Sequence, residues 1–317
     1  MVKKLKIKDL KLKNNVFLAP MAGYTDVGFR SLCAKYGAGL TFTEMVSAKA
    51  LCYGSEKTKE LLNCHGKDKT VAVQLFGNDP ESFKQVLTSG MLDNFKMIDI
   101  NMGCPAPKIV ANKEGSFLMT DIARASEIIK ACVESTKKPV SVKFRSGFSK
   151  DTINAVEFAC MCEQSGASMI TIHPRTKEQG YSGTADWEIV KEITKKVSIP
   201  VIVSGDIKSR KDLDYLVKEC GASGVMVARA SLGKPEIFEE ILTNKPLNMS
   251  LKDKLTQIKE HIEIMRLYHS EKFVSMTMKK HILNYIKDFE NATKLKVKVC
   301  ECSDLDSMLK IISEYED

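Results

Sequence analysis

The run Asn101-Met102-Gly103-Cys104-Pro105 is the strongest chemical feature of this sequence. The apolar stretch Met97-Ile98-Asp99-Ile100 leads into it, so a strand ends at Asn and turns through Gly-Cys-Pro, which sets the Cys104 thiol at the mouth of a sheet where a ligand can meet it. A lone cysteine is reactive only in a supporting environment. Other apolar runs supply candidates for that environment at their C-terminal ends: Pro20-Met21-Ala22, Glu44, Gln74, Lys143 with Arg145, His173 with Arg175, Ser204-Gly205-Asp206, and Ala228-Arg229. Lys143 is a poor packing residue, because an ammonium buried without a partner is costly, and it calls for an anion or an electron-rich ring.

The elements that must position these residues alternate along the chain. Short Val/Ile-rich runs at 16–19, 40–44, 71–75, 97–101, 140–144, 169–173, 201–204 and 224–228 read as strands. Helical spacing at 28–36, 48–63, 80–92, 122–134, 152–165, 187–195, 210–220 and 235–242 lies between and after them. Strands apolar on both faces belong in a parallel sheet covered by helices. Eight such units predict an α/β fold of the (β/α)₈ TIM-barrel type, followed by a small C-terminal helical domain; no G-x-G-x-x-G follows a strand, so the open dinucleotide-binding sheet loses its main signature. A barrel builds its site at the C-terminal ends of its strands, and its seventh and eighth loops commonly bind phosphate. Gly205, Gly224 and Arg229 fall there, which implies a phosphorylated cofactor. A reduced flavin suits Lys143, whose charge would meet the pyrimidine edge while Gln74 and Asn101 hydrogen-bond the ring.

The domains are read as 1–243 for the barrel and 244–317 for the helices. With 44% hydrophobic and 28% charged residues in 317, the chain has the composition of a soluble globular protein and excludes a disordered or repeat array. Its net charge of +8 is concentrated: Lys245 to Lys298 holds twelve Lys/Arg against six Asp/Glu, whereas Val299 to Asp317 holds one against six. That makes the helical domain a contact surface for an anionic partner. Ten cysteines without a secretory signal indicate reduced thiols in the cytoplasm, and the Cys160/Cys162 and Cys300/Cys302 pairs are too closely spaced for common zinc sites, so no metal is expected. The basic N-terminal stretch alternates charge with apolar residues and reads as a short strand or hairpin. No run is long enough to span a membrane.

Eight collinear motifs then resemble one family: Ala-Pro-Met-Ala-Gly-Tyr-Thr-Asp (19–26), Gln-Leu-Phe-Gly (74–77), Asp-Ile-Asn-Met-Gly-Cys-Pro (99–105), Val-Lys-Phe-Arg (142–145), His-Pro-Arg-Thr (173–176), Tyr-Ser-Gly-Thr-Ala-Asp-Trp (181–187), Ser-Gly-Asp-Ile (204–207) and Val-Ala-Arg-Ala (227–230). The order and coverage are similar to those of the tRNA-dihydrouridine synthases, closest to the bacterial B-type subgroup, and the basic helical tail resembles that family's tRNA-binding domain. The resemblance implies an FMN enzyme, driven by NADPH, that reduces the C5=C6 bond of particular uridines in tRNA. It implies that Pro20, Met21 and Ala22 line the flavin, Gln74 and Lys143 meet its edge, and His173 contacts it. The phosphate would be held by Ser204, Gly205 and Asp206 with Ala228 and Arg229. Cys104 would protonate uracil C5 after hydride reaches C6, Asn101 would orient the base, and Arg145 and Arg175 would meet RNA phosphate or the flipped nucleotide. Ser204 stands where the family has Asn, and Ala228 where it has Gly. The chain is expected to act as a monomer.

Two alternatives sit beside this reading: an FMN barrel oxidoreductase acting on a small molecule, and a non-catalytic RNA-binding protein. The cationic tail argues against the first, and the intact set of Cys104, Lys143 and His173 against the second. Among the remaining residues, Asp99 is expected to cap or brace the Cys104 loop, Glu44 to be either a brace or a substrate contact, and Trp187 to pack under the sixth loop. His261, His269 and His281 are expected at the surface or in packing.

Overall fold

A computed structural model describes residues 1–289 and 292–315. The N-terminal stretch folds into a hairpin of β1 (Leu5–Ile7) and β2 (Leu10–Leu12). Eight parallel strands follow: β3 (Val16–Leu18), β4 (Thr41–Ser47), β5 (Val71–Phe76), β6 (Met97–Met102), β7 (Val140–Arg145), β8 (Met169–His173), β9 (Val201–Ser204) and β10 (Gly224–Val227). Each pairs with its sequence neighbour from β4 to β10, and β10 also pairs with β3. Leu18 N–H donates to Leu40 C=O and Gly39 N–H to Val16 C=O, at 2.9 and 2.8 Å, which closes the ring between β3 and β4. Closure removes every sheet edge. The interior is filled in part by Phe17, Phe42, Met97, Met169, Ile202 and Met226, and Ile7 and Leu12 of the hairpin join this cluster as a plug.

The outer helices follow the apolar spacing with two instructive departures. The helix expected over 48–63 breaks into Ala48–Cys52, Glu56–Lys59 and a 3₁₀ turn at Glu60–Leu62. Gly54 at φ +72° terminates the first piece and Ser55, accepting from Thr58 N–H, caps the second. Strand β4 runs past Glu44 to Ser47, with a register irregularity between Phe42 and Met45 that re-aims the intervening side chains.

After Ile237–Thr243 the chain turns at Asn244 (φ +57°), and four helices follow: Leu251–Arg266, Glu271–Tyr285, Thr293–Glu301 and Leu305–Glu314. They bury their own apolar cluster, including Ile258, Ile262, Met278, Leu295 and Met308, to which Val27 and Leu32 of the barrel's first helix (Val27–Lys35) also belong. Polar contacts complete the docking. Lys254, 5% exposed, donates to Glu236 at 2.5 Å and to Gly233 C=O at 2.8 Å, so this lysine is an interior tie and not part of the basic surface. Lys35 and Lys67 both reach Glu260. Asp26, the N-cap of the first helix, lies 2.8 Å from Nε2 of both His261 and His281. These two histidines are fully buried, and His269 stacks on Phe273 at 4.5 Å, so all three serve packing and docking.

Candidate active site

The strand ends converge on one cavity of about 770 Å³, a size typical of cofactor and ligand pockets. From the loop after β3 come Pro20, Met21 and Ala22; from β5, β6 and the loop beyond come Gln74, Asn101 and Cys104; from β7 come Lys143 and Arg145. His173 ends β8, Ser204, Gly205 and Asp206 follow from β9, and Ala228 and Arg229 from β10. Of the candidates read from the sequence, Glu44, Arg175 and Gly224 do not line it.

Local structure explains why each side chain faces this space. Asp26 caps a helix and Gly23 (φ +78°) donates its N–H to Glu44 at 2.5 Å, which folds residues 19–26 over the cavity. Glu44 is therefore a brace, and burial raises its pKa. Gly205 adopts φ +111°, and Trp187 Nε1–H donates to its carbonyl at 3.2 Å. A Cβ at Gly205 would stand 2.7 Å from His173 Cδ2, so only glycine lets the seventh loop approach the imidazole.

The Cys104 turn is held by Asn101, whose Oδ1 accepts from Gly103 N–H at 3.1 Å and Cys104 N–H at 2.9 Å. Asn101 Nδ2 donates to Gln74 Oε1 at 2.8 Å, and Gln74 Nε2 donates to Asp99 at 2.6 Å. Among the described residues each amide thus keeps one N–H unengaged for a ligand. Asp99, expected to cap or brace the Cys104 loop, does not cap it and reaches the turn through these two amides.

Burial raises the Cys104 thiol, an effect that outweighs Arg145 and Lys143 nearby, so it is protonated at neutral pH. Burial, then Arg145, brings Lys143 down to about 8. Among the described residues no hydrogen bond or ion pair holds its ammonium. His173 is pushed down to about 2 by burial and by Lys143 and three arginines, and is a neutral imidazole. Its Nε2 lies 3.3 Å from Arg175 Nη1, so it accepts and Nδ1 carries the proton.

The two interior arginines are both held by the protein, and they differ in their access to the cavity. Arg175 is 1% exposed, and its guanidinium is engaged by Ser182 C=O, Gly183 C=O, Asp206 and His173. It orients His173 and the sixth loop and has no open path to an RNA phosphate. Arg145, 2% exposed, binds the carbonyls of Gly103, Thr176 and Gly180, tying the Cys104 turn to the sixth loop while still touching the cavity. Asp206 (φ +60°) points its carboxylate at Arg175, Ala185 N–H and Arg229, so the β9 turn can offer phosphate its backbone but not this side chain.

Sequence reasoning assigned no role to Tyr24, Met45 or Tyr181, all of which line the cavity. Tyr181 is 60% exposed, with the Arg145 and Arg229 guanidinium carbons 5.6 and 5.2 Å from its ring centroid. It opens the run 181–187, and an aromatic that follows Arg175 and Lys177 is the one signal the sequence carries for it.

The barrel superposes on an old yellow enzyme homologue from Zymomonas mobilis with TM-score 0.57, covering 77% of this chain and 93% of that one. Morphinone reductase gives 0.55 over 78% and 90%. Identities of 10% and 13% make these likenesses of fold. With a protonated thiol, a half-buried lysine and a neutral imidazole at its strand ends, the molecule falls in the class of (β/α)₈ barrels that build their site at the C-terminal rim. Its place within that class is set by sequence: the family model described as Dihydrouridine synthase (Dus) matches residues 17–316. A probable tRNA-dihydrouridine synthase of Rickettsia conorii is 35% identical over 98% of this chain and 96% of its own length. The tRNA-dihydrouridine synthase B of Pasteurella multocida is 36% identical over 90% and 88%, and that of Pseudomonas aeruginosa 32% over 98% and 95%. The chain belongs to the dihydrouridine synthase family.

Proposed function

We infer that the protein is a flavin-dependent tRNA-dihydrouridine synthase, with FMN as the bound flavin and NADPH as its reductant. The carrying observation is a half-buried thiol kept protonated at the mouth of a cavity that also holds a half-buried ammonium with no hydrogen bond or ion pair among the described residues. That lysine fits a flavin: an electron-rich ring edge is what a partly desolvated, unpaired cation needs. Pro20, Met21 and Ala22 would flank the ring, the free N–H groups of Gln74 and Asn101 would meet its polar edge, and the backbone of 204–206 with Ala228 and Arg229 would hold the phosphate.

Bound flavin, once reduced, supplies the hydride for uracil C6. Cys104 supplies the other half of the reduction, a proton to C5, and a thiol raised by burial is in the correct protonation state for that task. Neutral His173, fixed by Arg175, offers Nδ1–H as a donor without adding charge. Tyr181, held between two arginines, presents an aromatic face at the rim on which an extruded base can stack. Extruding a uridine from folded tRNA costs a few kcal/mol, and the exposed lysines of the helical segment, Lys252, Lys272, Lys287 and Lys294 among them, supply the backbone contacts that offset it.

The test is anaerobic. Flavin on the purified protein is reduced, tRNA lacking dihydrouridine is added, and flavin absorbance is followed. Reoxidation by tRNA but not by free uridine or enones supports the reading; reduced flavin that ignores tRNA but reacts with a small acceptor replaces it with a small-molecule oxidoreductase.

A further inference from the structure

Asp99 is an acidic side chain in the barrel interior beneath the cavity, and it is fully buried. No lysine or arginine lies within ion-pair distance of it among the described residues. Its partners are Ser141 Oγ–H at 2.5 Å and Gln74 Nε2–H at 2.6 Å. A carboxylate so placed is expensive, and an apolar residue of similar size would serve packing better.

What the carboxylate does is set direction. It can only accept, so Gln74 must turn its NH₂ toward it, which leaves Gln74 Oε1 facing Asn101. Asn101 must then turn its own NH₂ toward that oxygen, and its Oδ1 faces the two backbone N–H groups of Gly103 and Cys104. Side-chain amides are nearly symmetric in shape, so their ends are told apart only by these contacts, the carboxylate at one end of the relay and the Gly103 and Cys104 N–H groups at the other. Reversed, Asn101 would aim N–H at N–H and release the turn that carries Cys104. The links run across three adjacent strands, β7, β6 and β5, which fixes their spacing. Burial raises Asp99 to about 6, so it remains ionised at neutral pH and the sense of the chain is kept there.

We propose that Asp99 is a positioning residue of the reduction, fixing the Cys104 turn through the amide orientations of Gln74 and Asn101. This rests on the assignment of Cys104 as the proton donor. The experiment is a cycle of Asp99→Asn, Asn101→Asp and the double variant, with two readouts: tRNA-driven flavin reoxidation, and the iodoacetamide alkylation rate of Cys104 followed on its own peptide. In Asp99→Asn the maximal reoxidation rate per bound flavin falls at least tenfold, with half-saturating tRNA within twofold of wild type, and Cys104 alkylation rises at least threefold. Asn101→Asp alone behaves similarly, because Gln74 then faces a carboxylate at each end. In the double variant the chain runs in the opposite sense: the new amide donates to Gln74 Oε1, Gln74 Nε2 donates to the new carboxylate, and that carboxylate accepts from the turn. Alkylation then returns to within twofold of wild type and reoxidation recovers at least fivefold over Asp99→Asn. A double variant no better than the worse single, or wild-type rates in Asp99→Asn, overturns the proposal. If wild-type flavin is not oxidised by tRNA at all, the functional reading fails while the alkylation cycle still decides the role of Asp99.

Discussion

At the scale of the residue, this site works by holding groups in protonation states that free side chains would not all share. Cys104 stays a thiol and His173 an imidazole because burial and neighbouring cations act on each in a known direction. Cys104→Ala is expected to bind flavin and tRNA as wild type does, while flavin reoxidation by tRNA slows by about 10²–10⁴, the range for loss of a positioned acid; stopped-flow absorbance checks this. Lys143 gives a second test. Its ammonium is present below about 8 and lost above, and the proposed flavin contact draws on the charged form. FMN affinity of the apoprotein, read by fluorescence quenching, should therefore weaken as pH rises through 8, and Lys143→Met should bind weakly with no such pH dependence. A flat profile in the wild type would remove Lys143 from the cofactor's electrostatics.

At the scale of the element, the helices depend on the barrel through a few buried contacts. Burial alone would raise Asp26, but His261 and His281 outweigh it and hold its carboxyl well below the usual range, while burial lowers His281. Both shifts act in the same sense. Below about pH 6.5 the unfolded chain takes up a proton at His281 that the folded chain refuses, and below about pH 4 it does the same at Asp26, so stability falls on acidification. Thermal unfolding should show a falling Tm from pH 7 to pH 5, with a shallower fall in His281→Gln. Gly233 is the other dependence. It sits at φ +71° with its Cβ position 2.1 Å from the Asn284 carbonyl oxygen, so the second helix of the C-terminal set lies directly on the barrel's eighth loop. Gly233→Ala must strain the backbone and push the two apart, a loss of about 2–4 kcal/mol by urea titration.

At the scale of the whole molecule, the proposed chemistry belongs to the barrel and the basic excess to the helical segment. With Lys254 buried against Glu236, the cationic surface is made by the exposed lysines instead. Replacing Lys287 and Lys294 by Glu should weaken tRNA binding and flatten the dependence of log affinity on log salt by about one unit per lost phosphate contact, while FMN content is unchanged; equal salt slopes would move the RNA surface elsewhere. Among the described residues no helix is long and apolar enough to cross a membrane.

The sequence by itself determined the barrel and most of its mouth. Strand and helix periods are local properties, and a parallel barrel gathers its strand ends at one rim, so Gln74, Asn101, Cys104, Lys143, His173 and the 204–206 turn could be expected together before any coordinate was known. Tertiary structure alone decided how those groups divide their hydrogen bonds. Arg175 reads like a phosphate ligand, yet carbonyls from residues 182 and 183 and the carboxylate of Asp206 consume its donors. Lys254 reads as part of a basic surface and is an interior tie, and His261 and His281 find Asp26 across more than 230 residues. Whether a charged side chain meets solvent, ligand or another side chain depends on which distant segments fold over it. Residue type and local spacing do not contain that information.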